Sequence, residues 1–254
     1  MPYTIAVAGK GGTGKTTLCG FLIEYLASQN KGPILAVDAD ANSNLNEVLG
    51  VEVETTLGTI REEVAKADIT GGTIPAGMSK QEYMDFKFSD ALIEMDDYDM
   101  LVMGRTQGEG CYCFVNGLLQ TQINKFAGNY KYLVVDNEAG MEHISRGVLP
   151  KVDIILLVSD ASRRGIQAAG RIGKLIKEMD MKVSNVKLIV NKAPNGELSD
   201  GLKEEIAIQE LDLLGVIPQD QMVYEYDTEG KPTATLPSDS VAKKALGELI
   251  SQII

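Results

Sequence analysis

The sequence predicts an α/β protein: a single doubly wound, mostly parallel sheet with helices on both faces. Three observations predict it. Short apolar runs recur from end to end of the chain. They are apolar at consecutive positions, as strands covered on both faces are. Between them lie segments whose apolar residues are spaced three and four apart, the mark of helices packed against a sheet.

Thr4–Ala8 reads as the first strand, followed by a glycine-rich loop and a helix with Leu18, Leu22, Ile23 and Leu26 on one face. Ile34–Val37 is the second strand. Residues 51–99 are less regular, with Gly71-Gly72, Pro75 and Gly77, and read as loops and short helices inserted beside the core. Met100–Met103, Tyr132–Val135, Ile154–Val158, Val186–Val190 and Leu213–Ile217 supply the remaining strands. A helix carries Ile166, Ala169, Ile172, Leu175, Ile176 and Met179. The C-terminal segment repeats apolar residues at Val241, Ala245, Leu246, Leu249, Ile250 and Ile253, with only Lys243 and Lys244 as cations. That pattern suits a helix docked on the sheet better than one on a membrane. With no repeat and no linker, residues 1–254 read as one domain.

Composition narrows the function. A net charge of −12 over 254 residues disfavours nucleic acid and anionic membrane surfaces, both of which call for a basic face. No run approaches the ~20 apolar residues of a membrane span, and the start of the chain has no secretory pattern. Three cysteines are too few for a disulfide scaffold. The expected location is the cytoplasm.

The loop Gly9-Lys10-Gly11-Gly12-Thr13-Gly14-Lys15-Thr16-Thr17 follows a strand and opens a helix, the context that makes a phosphate loop. Its glycines let backbone N–H groups converge on a phosphate at the positive end of the helix. Lys15 would reach the β- and γ-phosphates, and the Thr16 hydroxyl would coordinate Mg²⁺. Tyr132-Leu133-Val134-Val135-Asp136 is an apolar strand ending in an acid, so Asp136 would hold the Mg²⁺ shell through water. Gly140 would then sense the γ-phosphate with its backbone N–H, in a switch spanning residues 137–147.

Lys10 adds more. Gly-Lys-Gly-Gly-x-Gly-Lys-Thr-Thr resembles the deviant Walker ATPases, which include the nitrogenase iron protein, the Min and Par positioning ATPases and metallocentre-assembly ATPases. The resemblance implies a P-loop NTPase fold of the SIMIBI class and a homodimer in which Lys10 completes the partner's site, much as an arginine finger does. It also implies that Asp40 positions or activates the attacking water and that Asp38 lies near Mg²⁺, both in Val37-Asp38-Ala39-Asp40-Ala41-Asn42. Asn191, in Val190-Asn191-Lys192, resembles the family's adenine contact, and Pro218 and Asp220 its base-side loop. The guanine-selective pattern Asn-Lys-x-Asp is broken by Pro194, which favours ATP. Family members often carry proline two residues after the Walker B acid, where this chain has Glu138, a departure that weakens a Min or Par assignment.

Gly108-Glu109-Gly110-Cys111-Tyr112-Cys113 carries the remaining chemistry. Thiolates are strong ligands for zinc, copper(I) and nickel, but one Cys-x-Cys pair is half a site. A two-fold dimer would supply four sulfurs. Cys19, inside the first helix, reads instead as a small buried hydrophobe. The cysteine segment, the phosphate loop and Glu138-Ala139-Gly140-Met141-Glu142-His143 together resemble the CooC-type nickel-insertion ATPases that mature carbon monoxide dehydrogenase. That resemblance runs from Ala8 to Asp220. It implies Ni²⁺ held by Cys111 and Cys113 of two subunits, with Zn²⁺ able to use the same sulfurs, and carbon monoxide dehydrogenase as client enzyme. His143 is then a switch element, a neighbour of the metal ligands, or structural. The rival readings are an iron–sulfur reductase like the nitrogenase iron protein and a Min- or Par-type positioning ATPase.

Overall fold

A computed structural model of the chain describes residues 1–70, 78–105, 112–138, 149, 151–179 and 182–254. Its strands are β1 (Tyr3–Gly9), β2 (Ile34–Ala39), β3 (Ile93–Glu94), β4 (Asp99–Val102), β5 (Tyr132–Asn137), β6 (Val152–Asp160), β7 (Val183–Ala193) and β8 (Leu213–Pro218). They form one sheet in the order β3-β4-β2-β5-β1-β6-β7-β8. Every pairing is parallel except β3 with β4. The helices described are α1 (Lys15–Ser28), α2 (Leu45–Leu49), α3 (Leu57–Thr70), α4 (Lys80–Ser89) and α5 (Tyr112–Phe126). α6 (Arg163–Glu178), α7 (Asp200–Ile208), α8 (Gln221–Thr228) and α9 (Val241–Ile250) follow.

Alternation along β1 shows why two layers of helix are needed. Ile5 and Val7 point into a core built with α1, α2 and α9, through Leu18, Leu22, Leu45, Leu246 and Ile250. Ala6 and Ala8 point the other way, into a core with α3, α4, α5 and α6, through Ile60, Phe88, Ile123 and Ile166. Strands apolar on both faces thus bury both faces, as the sequence predicts. A fully enclosed Leu22 is worth roughly 1.5–3 kcal/mol relative to exposure. The C-terminal segment docks as expected: α9 turns Ala242, Leu246 and Ile250 inward.

The described part of the inserted region holds two helices, α3 with 14 residues and α4 with 10; Gly71-Gly72, Pro75 and Gly77 lie outside the described residues. Two local devices start the helices. Thr56, just before α3, and Thr59, in its first turn, exchange side-chain and main-chain bonds. Ser79 and Glu82 form a reciprocal capping box on α4. β3 was not expected; two residues on a sheet edge are too few to show a period.

Candidate nucleotide site

β1 lies between β5 and β6 at the middle of the sheet, and the crevice beyond its C-terminal end is where ligands bind in open α/β folds. The phosphate loop occupies it. Gly14, at φ 88°, opens α1, and no side chain caps that helix. A Cβ on Gly14 would stand 2.5 Å from Asn191 Nδ2, so the position admits only glycine. The uncapped N–H groups of α1 face the loop as anion donors.

The loop is braced from within and from β7. Thr13 Oγ1 donates to the Lys10 carbonyl at 2.9 Å, and Lys15 Nζ reaches the same carbonyl at 3.5 Å. Asn191 Nδ2 donates to the Thr13 carbonyl at 2.9 Å, and Lys192 Nζ to the Gly12 carbonyl at 3.0 Å. Lys15 is buried beneath the loop, whereas Lys10, Gly11 and Gly12 are exposed. None of these bonds uses the Lys10 side chain.

Two cavities flank the start of α1. One of about 260 Å³ is lined by Gly14, Thr17, Asn191, Pro218, Asp220 and Tyr224. The other, about 780 Å³, runs along Lys15, Thr16, Thr17, Asn46 and Thr233. Asp220 shapes the first cavity with both oxygens engaged. Oδ1 accepts from Met222 N–H at 2.9 Å; Oδ2 accepts from Ser240 Oγ at 2.6 Å and Ala242 N–H at 3.1 Å. Burial alone would raise its carboxyl, but these donors outweigh burial and hold it below the ordinary range. Asn191 is similarly committed, its Oδ1 accepting from Lys192 N–H.

The acids at the ends of β2 and β5 are buried side by side with Thr16. Burial pushes Asp136 up to about 7, and the Asp38 charge adds to it; the Thr16 hydroxyl and the Lys15 ammonium act in the opposite sense. Burial likewise pushes Asp38 up to about 6, against the N–H groups of Leu45 and Asp40. Those two N–H groups donate to Asp38 at 2.9 and 3.0 Å. Asp136 Oδ1 has no hydrogen-bond partner. An orphaned buried carboxylate oxygen beside a threonine hydroxyl fits a Mg²⁺ shell, which would supply the missing partner. Asp40 stands further out, its Oδ1 accepting from the N–H and Nδ2 of Asn42.

Two residues escaped the sequence reading. Asn42 was legible in the Asp-x-Asn turn. Arg105, which donates to Asn42 Oδ1, was not, because 63 positions separate the pair.

Gly140, His143 and Cys111 lie outside the described residues, and Cys113 is placed only as backbone in the first turn of α5. Among the described residues no group of three or more His, Cys, Asp or Glu could hold a metal. Cys19 is fully enclosed, its thiol pushed well up by burial, and is structural. No described helix is long and apolar enough to cross a membrane.

Comparison with known proteins agrees with this geometry. The family described as the CobQ/CobB/MinD/ParA nucleotide binding domain matches residues 4–233. An uncharacterized ATP-binding protein of Methanocaldococcus jannaschii is 43% identical over 252 residues, covering 98% of each chain. The carbon monoxide dehydrogenase accessory protein CooC of Rhodospirillum rubrum is 29% identical, over 89% of this chain and 87% of its own. Among solved structures, the septum site-determining protein MinD of Pyrococcus horikoshii, complexed with Mg-ADP, superposes with a TM-score of 0.72 at 23% identity. The match covers 100% of this chain and 96% of that one.

Proposed function

This chain belongs to the CobQ/CobB/MinD/ParA nucleotide-binding family and is a P-loop ATPase, and from that premise we propose that it is an ATP-dependent metallochaperone. In this reading it carries Ni²⁺ on Cys111 and Cys113 shared across a nucleotide-gated homodimer, and delivers it to carbon monoxide dehydrogenase. The cargo metal is a substrate here, while Mg²⁺ serves the phosphates through Thr16 and Asp136.

One observation supports the proposal: the chain that leads toward the cysteine segment leaves β4 bonded to the end of β2, where Asp38 and Asp40 stand. Met103 N–H donates to the carbonyl of Asp38 at 2.9 Å, and Cys111 follows Met103 by only eight positions. Movement at the end of β2 would therefore be felt eight positions ahead of Cys111 in the chain. The CooC relative, a carbon monoxide dehydrogenase accessory protein similar over most of both chains, supports the same client. Four thiolates from two subunits would suit nickel in a square plane, or zinc in a tetrahedron.

Anaerobic titration of the purified protein with Ni²⁺, with and without nucleotide, tests this. About one Ni²⁺ per dimer is expected, with thiolate-to-nickel charge-transfer absorption that disappears in Cys111→Ala. A protein that dimerises on ATP but binds no metal would instead be a positioning ATPase. A brown protein absorbing near ~400 nm would be an iron–sulfur reductase.

A further inference from the structure

The segment after β2 that carries Asp40 and Asn42 and the chain beyond β4 are locked together by main chain and by side chains. Besides the bond from Met103 N–H to the Asp38 carbonyl, Gly58 N–H donates to the Met103 carbonyl at 2.9 Å. Gly104 follows at φ 67°, where a Cβ would meet Thr56 Oγ1 at 2.4 Å. A Cβ on Gly58 would meet the Arg105 carbonyl at the same 2.4 Å. Residues 103–105 are thus wedged between the end of β2 and the start of α3, with no space for a side chain at either glycine.

Arg105 leaves this wedge and donates its guanidinium to Asn42 Oδ1. Asn42 donates onward to Asp40 Oδ1, from its main-chain N–H at 2.8 Å and from Nδ2 at 3.1 Å. Only one orientation of the Asn42 amide serves both neighbours. Reversed, it would set an NH₂ against a guanidinium and an oxygen against a carboxylate. In the orientation found, the arginine's charge polarises the amide and strengthens its donation to the aspartate. Both bonds fall on Oδ1, so the network fixes the carboxylate plane without using Oδ2.

We propose that Arg105 is a positioning residue for ATP hydrolysis, acting through Asn42 to hold Asp40 toward the attacking water. The proposal rests on the reading of Asp40 as the group that orients that water. A carboxylate free to rotate would lose the alignment on which in-line phosphoryl transfer depends. The anchoring of residues 103–105 gives the arginine a fixed origin, so its reach to Asn42 is set by the fold and not by a mobile surface chain.

Steady-state ATP turnover by the full-length protein tests this. Arg105→Ala should lower kcat about tenfold, with KM for ATP within about twofold, as loss of one charge-assisted bond in a network implies. Asn42→Ala should do the same, and the double variant should be no slower than either alone, because the two act in series. Arg105→Lys, which keeps a donor and a charge, should recover part of the loss. Melting temperatures should stay at the wild-type value, since both side chains are exposed. Turnover within twofold of wild type in Arg105→Ala, or multiplying losses in the double variant, would overturn the proposal. Nickel titration of the wild type reports separately: failure to bind metal defeats the metallochaperone reading and leaves these kinetic ratios to decide Arg105.

Discussion

Asn191 and Thr13, 178 positions apart in sequence, are joined by a 2.9 Å bond from the Asn191 amide to the Thr13 carbonyl. The end of β7 therefore holds the crest of the phosphate loop, and the residue expected beside the adenine also sets the shape of the phosphate cradle. Asn191→Ala should leave that buried carbonyl unpaired, at a cost of about 1–3 kcal/mol. Calorimetric titration with ATP should show affinity reduced by at least about tenfold, with kcat at saturation changed less.

The two lysines of the loop should separate cleanly. Lys15 is buried under the loop and Lys10 is exposed. Lys15→Ala is expected to abolish nucleotide binding. Lys10→Ala should bind ATP nearly normally yet turn over at least about tenfold more slowly, the signature of a group supplied in trans. Mixing the two inactive variants should restore activity, because each heterodimer has one complete site. No recovery on mixing would remove the shared-site dimer.

Asp136 gives a pH dependence of defined sign. Its carboxyl is held at about 7, against an ordinary value of 3.8, so the folded chain keeps a proton that the unfolded chain releases. The resulting stability is fully present below about pH 4 and is lost as pH rises through 7. Without Mg²⁺, Asp136→Asn should therefore gain stability relative to wild type as pH rises, by about 3 kcal/mol between about pH 5 and about pH 8. Denaturant melts at the two pH values measure the difference; an equal gap at both would show that Asp136 is not held protonated.

Asp220 joins the starts of α8 and α9 through Met222, Ser240 and Ala242. Asp220→Ala should cost about 2 kcal/mol, one cap for each helix. Thermal melting should fall by about 5 °C in a chain of this size. Lost ATP affinity with an unchanged melting temperature would instead show a direct contact with the nucleotide.

Much of the fold was legible in the sequence because the seven longer strands are apolar at successive positions, and burial on both faces requires that. The phosphate loop was legible because its glycines and its Lys15-Thr16 pair act locally, within one turn of chain. The Ser79-x-x-Glu82 capping box is a local pattern too, but it marks where a helix starts and not how far it runs. β3 was too short to carry a signal.

What only the tertiary structure decided are relationships across the sheet. The sequence marks Asp136 and Asp38 as acids at strand ends; their pairing on neighbouring β5 and β2, and the burial that raises both carboxyls, come from strand order. Asn191 and Asp220, expected on the base side, line one cavity beside α1, and packing also ties them to the loop and to two helix starts. Arg105 carries no local pattern, and it acquires a partner in Asn42 only because β4 lies beside β2. Local chemistry is written in neighbouring residues, whereas contact between distant ones is set by which strands share an edge.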